Sequence, residues 1–219
     1  MDQQSREQAF MSALVTEHFV LQSSAAATIS ESASRCSIYL LSLSSSLVAL
    51  GFVGTTGVGV TVFAAVVLPT VFLLGWFTVV RLVDVSIENV VMLRGIARIR
   101  RHYAGLLPEA EQFFGQPEDD ATTARRMTGT ANSNRGALLF TMASMIGTVN
   151  SVLGGVVVAL LLEAGLGTGR VPAVTVGIAA GLALLGAVYA YQQRRFARAL
   201  APGTAPVTPA TPAPAHDAV

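Results

Sequence analysis

Charge is what this chain has least of. Only 12% of its 219 residues are charged, and not one is lysine, since all fourteen basic residues are arginine. An ordinary soluble domain carries roughly 25% charged residues. With 52% hydrophobic residues there are too few polar groups to cover a soluble surface of this size. Cysteine is nearly absent too: Cys36 stands alone, which excludes a disulfide framework and any CxxC metal motif. The formal net charge of +1 gives no long-range pull on nucleic acid. Residues 1–18, with Asp2, Glu7 and Glu17, lack the basic start and apolar core of a cleavable signal peptide.

What the chain has is long runs without charge. From Cys36 to Val80 no charged side chain occurs. As one helix that run would be roughly 68 Å long, against a hydrocarbon core of about 30 Å, so it must fold back. The turn falls in GFVGTTGVGV, where Gly51, Gly54, Gly57 and Gly59 cluster. This predicts spans over 37–53 and 60–80, the second kinked at Pro69. Two further charge-free runs, 136–162 and 171–193, each suffice for one crossing and are joined by the short turn EAGLGTGR.

The expected fold is therefore all-α: a polytopic membrane protein with four transmembrane helices and long cytoplasmic helical extensions. The domain order is an N-terminal amphipathic helix over 1–36, a transmembrane hairpin over 37–80, a cytoplasmic helix and loop over 81–135, a second hairpin over 136–193, and a basic exit with a disordered Pro/Ala/Thr tail over 194–219. Arginines set the orientation. Eight lie between Arg81 and Arg135, and Arg194, Arg195 and Arg198 follow the last span, while the two tight turns hold only Arg170. The positive-inside bias places both termini and the middle segment in the cytoplasm of a multi-pass cell-membrane protein.

Within 1–36 the apolar positions read as Phe10, Leu14, Leu21, Ala25 and Ile29, with Glu31 and Arg35 in the favoured i,i+4 order. After the second span, Arg81, Asp84, Glu88, Gly95, Arg98 and His102 share one stripe of a continuing helix. Trp76 precedes them at an interfacial position and the span is already long enough, so Arg81, Asp84 and Glu88 mark the membrane exit, with Arg81 and Asp84 as a surface pair. Arg94, Arg98, Arg100 and Arg101 radiate around the helix rather than converging. That distribution suits anionic lipid headgroups at the cytoplasmic face better than a dedicated phosphate site, which is the other candidate. Pro108 begins a short helix, PEAEQFF, and 115–135 reads as loop.

No HExxH, GxSxG, P-loop or paired-carboxylate arrangement occurs, and His18, His102 and His216 are scattered. The chain is expected to be no enzyme and to hold neither cofactor nor metal. The polar signal inside the spans is a face of small residues, Thr141, Ser144, Thr148, Ser151 and Gly155, with Gly177 and Gly181 forming GxxxG in the fourth span. Such residues let helix backbones approach closely in lipid; the alternative is a pore face, to which Ser42, Ser44, Ser45 and Ser46 would contribute. Asn150 points away from that face and needs a partner on another helix or another subunit.

The segments TEHFVLQ, ESASRCSIYLLSLSSSLVALGF, LPTVFLLG, IENVVMLRGIARIRRHY and NSVLGG resemble a group of small four-span membrane proteins of actinobacteria, over about residues 10 to 160. The resemblance implies a bacterial integral membrane protein and supplies no catalytic residue. In architecture alone the chain is also similar to small helical membrane effectors of bacterial defence operons. Two functions are expected in consequence. The first is a structural, interaction or accessory component of the inner membrane that self-associates and meets a cytoplasmic protein partner, but no nucleic acid; the second is an oligomeric channel-like effector.

Overall fold

A computed structural model describes residues 2–56, 59–106, 108–114 and 141–199. The expected loop over 115–135, the start of the third span over 136–140 and the tail from 201 onward lie outside the described residues. Every regular element within them is helical: α1 (Gln3–Thr56), α2 (Val60–Ala104), a 3-10 turn (Pro108–Ala110), α3 (Glu111–Phe114), α4 (Met142–Gly165) and α5 (Arg170–Ala199). The four long helices, α1, α2, α4 and α5, are each apolar and long enough to cross a membrane. The protein is an all-α, four-span chain.

Its outline follows from two unbroken helices. α1 runs for 54 residues and α2 for 45, roughly 81 and 68 Å at 1.5 Å per residue. Neither stops at its last apolar residue, because nothing in ESASRCS or VVRLVDVSIE breaks a helix; Pro69 lies within α2 without ending it. The tight turns are glycine-made. Gly59, ahead of α2, has φ 79° and Gly167, between α4 and α5, has φ 63°, and these are the only positive φ values among the described residues.

α1 and α2 form an antiparallel hairpin, and α4 and α5 a second one. α2 lies between them, packing on α1 along one side and on α4 along the other, whereas α1 and α5 do not meet. The arrangement is thus a row rather than a closed square. The core sits where α2 is covered on both sides: Val79, Leu82, Val83 and Val85 of α2, with Tyr39 of α1 and Ile146 of α4, are almost wholly buried.

The α1 seam has coiled-coil spacing. Its least exposed positions run Met11, Leu14, His18, Leu21, Ala25, Thr28, Ser32, Cys36, Tyr39, Leu43, Ser46, Leu50 and Val53. Steps of three and four alternate along it apart from one four-four step through Ser32. A mean near 3.5 residues is that of two helices supercoiling so that one stripe stays on the partner. This corrects the sequence reading in two places. Phe10 is 54% and Ile29 60% exposed, while Thr28 takes the seam position with its hydroxyl donated to the Ala25 carbonyl. Stepping four residues on from Ala25 lands on Ile29, but the supercoil takes three.

Candidate functional site

Three polar assemblies distinguish the molecule, two joining helices that are far apart in sequence and one joining the consecutive pair α4 and α5. The first is built on the charges expected to mark the membrane exit. Arg81 does not pair with Asp84, as local spacing suggested. Its Nε donates to Glu31 Oε1 of α1 at 3.0 Å, its Nη2 to Glu31 Oε2 at 3.3 Å, and its Nη1 to Glu88 Oε1 at 3.1 Å. Glu31 also accepts from Arg35 at 2.8 Å, the i,i+4 contact its spacing predicts. Asp84 pairs instead with Arg195 of α5. Charges flagged as exit markers therefore tie α1, α2 and α5 together at one level.

These groups are partly exposed, so solvent screens their attraction. The direction of each shift follows its partner. Hydrogen bonding from Arg81, then from Arg35, holds the Glu31 carboxyl below its ordinary range. The Glu31 hydrogen bond raises the Arg81 guanidinium, and the Asp84 hydrogen bond raises Arg195.

The second assembly is buried between α1, α2 and α4. Tyr39, fully buried, donates its hydroxyl to Asn150 Oδ1 at 3.3 Å. Asn150 is 3% exposed, and it reaches Tyr39 across the spot where Gly75 has no side chain. A Cβ on Gly75 would lie 2.1 Å from Asn150 Oδ1 and 2.7 Å from Tyr39 Cε2. The partner that Asn150 requires is thus on a neighbouring helix of the same chain, and Gly75 is the gap that admits it. Nothing in the sequence pattern singled out Gly75 or Tyr39, though a lone tyrosine in a charge-free run is a usable signal.

The third assembly is the small-residue face between α4 and α5. Thr141 caps α4, accepting from the Ser144 amide at 3.2 Å. Ser144 donates to Gln192 Oε1 at 2.9 Å in a buried contact. Thr148 and Ser151 turn their hydroxyls back onto the carbonyls of Ser144 and Gly147, at 2.8 and 2.7 Å. Gly155 and Gly177 bring the two backbones together: a Cβ on either would lie 2.6 Å from the other's carbonyl oxygen. Gly181 packs beside them, where a Cβ would sit 3.1 Å from the Ser151 carbonyl. This close crossing leaves a groove of about 450 Å³ lined by residues of α4 and α5 alone, among them Ser151, Gly155, Gly177 and Gly181 with exposed Val152, Ile178 and Leu182.

The arginines that follow Arg81 on α2 are not equivalent. Arg94 Nη1 donates to the carbonyl of Ala199 at 3.1 Å, satisfying one of the open acceptors at the end of α5. Arg98, Arg100 and Arg101 are exposed. Gly95, placed by the wheel on a polar stripe, faces α1, where its missing Cβ makes room for Leu21 at 2.8 Å. His102 on the same stripe meets Phe10 edge-on at 5.6 Å between ring centroids. Arg81, Gly95 and His102 of that stripe thus meet α1, while Asp84 turns to α5 and Arg98 stays exposed.

Among the described residues no three His, Cys, Asp or Glu side chains gather as a metal site would require. No protein-family model matches the chain, and no curated protein or solved structure matches it significantly.

Proposed function

We propose that the protein is a non-enzymatic component of a bacterial inner membrane, which self-associates through its spans and carries a two-helix stalk into the cytoplasm to meet a partner. One observation carries this reading: α1 and α2 continue as paired helices past the exit charges without a break. Glu31 with Arg81, Leu21 with Gly95 and Phe10 with His102 keep one antiparallel register all along the extension. From Arg81 to Ala104 the projecting part of α2 is about 36 Å long at 1.5 Å per residue. A rigid arm of that length is more than anchoring needs. It presents Phe10, Val15, Phe19 and Val20 to solvent, each between 46% and 64% exposed, and isolated aromatic anchors of this kind suit a protein interface.

Self-association rests on the outward groove of α4 and α5, since small residues flanked by branched aliphatics are what helix association in lipid uses. The same face supports packing over pore lining, because the Thr148 and Ser151 hydroxyls are bonded within their own helix. The bacterial origin draws its support from the sequence resemblance to small four-span actinobacterial membrane proteins.

The test is site-directed labelling in a Cys36→Ser background, with cysteines introduced at Leu166, Glu109 and Val152. A membrane-impermeant maleimide applied outside intact cells should reach position 166 and not 109, and an oxidant should cross-link position 152 between subunits. Labelling of 109 from outside would overturn the orientation, and absence of a cross-linked dimer would remove the self-association.

A further inference from the structure

We propose that the far end of the stalk binds a soluble organic anion with a flat apolar body, seated between His18, Arg100 and Tyr103. The proposal rests on the stalk reading and adds the chemistry of a ligand to it. A pocket of about 500 Å³ opens there, lined by Val15, His18 and Phe19 of α1, Arg100 and Tyr103 of α2, and Phe113 of α3. Its size lies within the roughly 300–1,000 Å³ of small-molecule sites, and its make-up is theirs: apolar walls with a few polar groups.

The polar groups favour an anion. Gln22 Nε2 lies 3.1 Å from His18 Nε2. His18 Nδ1 is buried and makes no hydrogen bond among the described residues. Arg100 adds a permanent cation, and Tyr103 belongs to the same wall. Phe19 and Phe113, 64% and 77% exposed, supply faces for a flat ring.

Distance argues for a ligand from solution over a lipid headgroup. Arg100 follows Arg81 by nineteen residues of unbroken helix, about 29 Å at 1.5 Å per residue. The headgroup layer beyond the hydrocarbon is only about 5–8 Å deep on each side, and a typical tilt of about 20° shortens the projection by less than ~10%. A helix that crosses the membrane without a break cannot also lay this turn on its surface. Arg94 is already engaged with the end of α5, and Arg98 does not line the pocket.

The experiment uses the full chain in nanodiscs of phosphatidylcholine, with adenosine monophosphate and indole-3-acetate as probes and adenosine as the neutral control, read by titration calorimetry. At least one anion should bind. The Arg100→Gln variant should then weaken it about tenfold or more, as loss of a charge-assisted contact does, and Phe113→Ala should weaken it several-fold. Arg98→Gln should stay within about twofold, since no contact with the ligand is lost there. Arg100 and Phe113 are exposed, and circular dichroism verifies that both variants fold. If neither anion binds, if adenosine binds as well as its phosphate, or if Arg98→Gln and Arg100→Gln weaken binding equally, the proposal fails. It fails too if the probes bind only weakly while discs containing phosphatidylglycerol protect Arg100, because a lipid would then be the occupant. Labelling at position 109 reports on the stalk separately, so absence of binding would leave the topology standing.

Discussion

The two halves of this molecule hold their helices together by different means. Between α4 and α5 the backbones themselves touch, with Gly155 and Gly177 each within 2.6 Å of where the other's Cβ would push. Between α1 and α2 the seam is made of side chains at coiled-coil spacing, and where it leaves the apolar run it is joined by Glu31 and Arg81. The coiled-coil seam runs on through the charge-free part of α1 to Val53, so solvent bears only on the charged part of the pairing. In hydrocarbon there is no hydrophobic drive to bring two apolar helices together, so close packing and buried hydrogen bonds must do it. On the proposed topology, water beyond Arg81 restores that drive, and charge pairs can set register at little desolvation cost. Tyr39, Gly75 and Asn150 belong to the first regime although two of them lie on α1 and α2.

That contrast fails first where glycine is replaced. Gly177→Leu should have the largest effect, since its side chain would meet the Gly155 carbonyl, which cannot move away without moving α4. A loss beyond the usual 1–3 kcal/mol of overpacking is expected, visible as failure to recover folded protein in mild detergent. Gly75→Ala comes next, at about 1–3 kcal/mol by the same mechanism, because Asn150 and Tyr39 can only partly withdraw. Steric-trap or thermal unfolding in detergent measures both. If Gly75→Ala were neutral, the fit around Asn150 would be looser than described. Asn150→Leu should cost less, about 0.6 to 1.7 kcal/mol, the range for interhelical hydrogen bonds in membranes.

The stalk should respond more weakly and to different variables. Arg94→Gln removes a cation and a donor from the end of α5, and a loss of about 0.3–1 kcal/mol follows from the helix dipole. Glu31 gives the smallest effect, one that depends on pH. Its carboxyl is held below the ordinary value of 4.5 in the folded chain. The stability it adds is therefore present above that value and lost as pH falls through the depressed folded-state value. Acid should loosen the α1–α2 extension below about pH 4.5 in the native chain, followed by hydrogen exchange across residues 20–35, and Glu31→Gln should abolish that pH dependence.

How much of this could be read from the sequence depended on range. Charge-free runs located four helices long and apolar enough to cross a membrane, and the absence of any breaker before Ser37 or after Arg81 fits the unbroken α1 and α2. The Glu31–Arg35 contact was legible because it is local. Arg81 was assigned to Asp84 by the same local rule, but its partner is fifty residues away on α1, and Asp84 turns to Arg195. Spacing along one helix cannot choose among acceptors on others. Asn150 could be recognised as needing a partner, because an amide in a span is costly alone; which residue supplied it required the fold. Gly95 was misplaced on the polar stripe for the converse reason, as a glycine's lack of a side chain says nothing about which neighbour fills the space.

The central claim is that α1 and α2 stand off the membrane as one arm. A bimane fluorophore at Phe77, Glu88 or Arg98, each attached through a single introduced cysteine in a Cys36→Ser background, measures this directly against lipids carrying nitroxides at set depths. The label at 77 should be quenched by acyl-chain nitroxides and that at 88 weakly by headgroup nitroxides. The label at 98, about 26 Å along the helix from Arg81, should be quenched by neither. Strong headgroup quenching at 98 would mean that the helices lie down on the bilayer, contradicting the arm and the solution-facing pocket at its end.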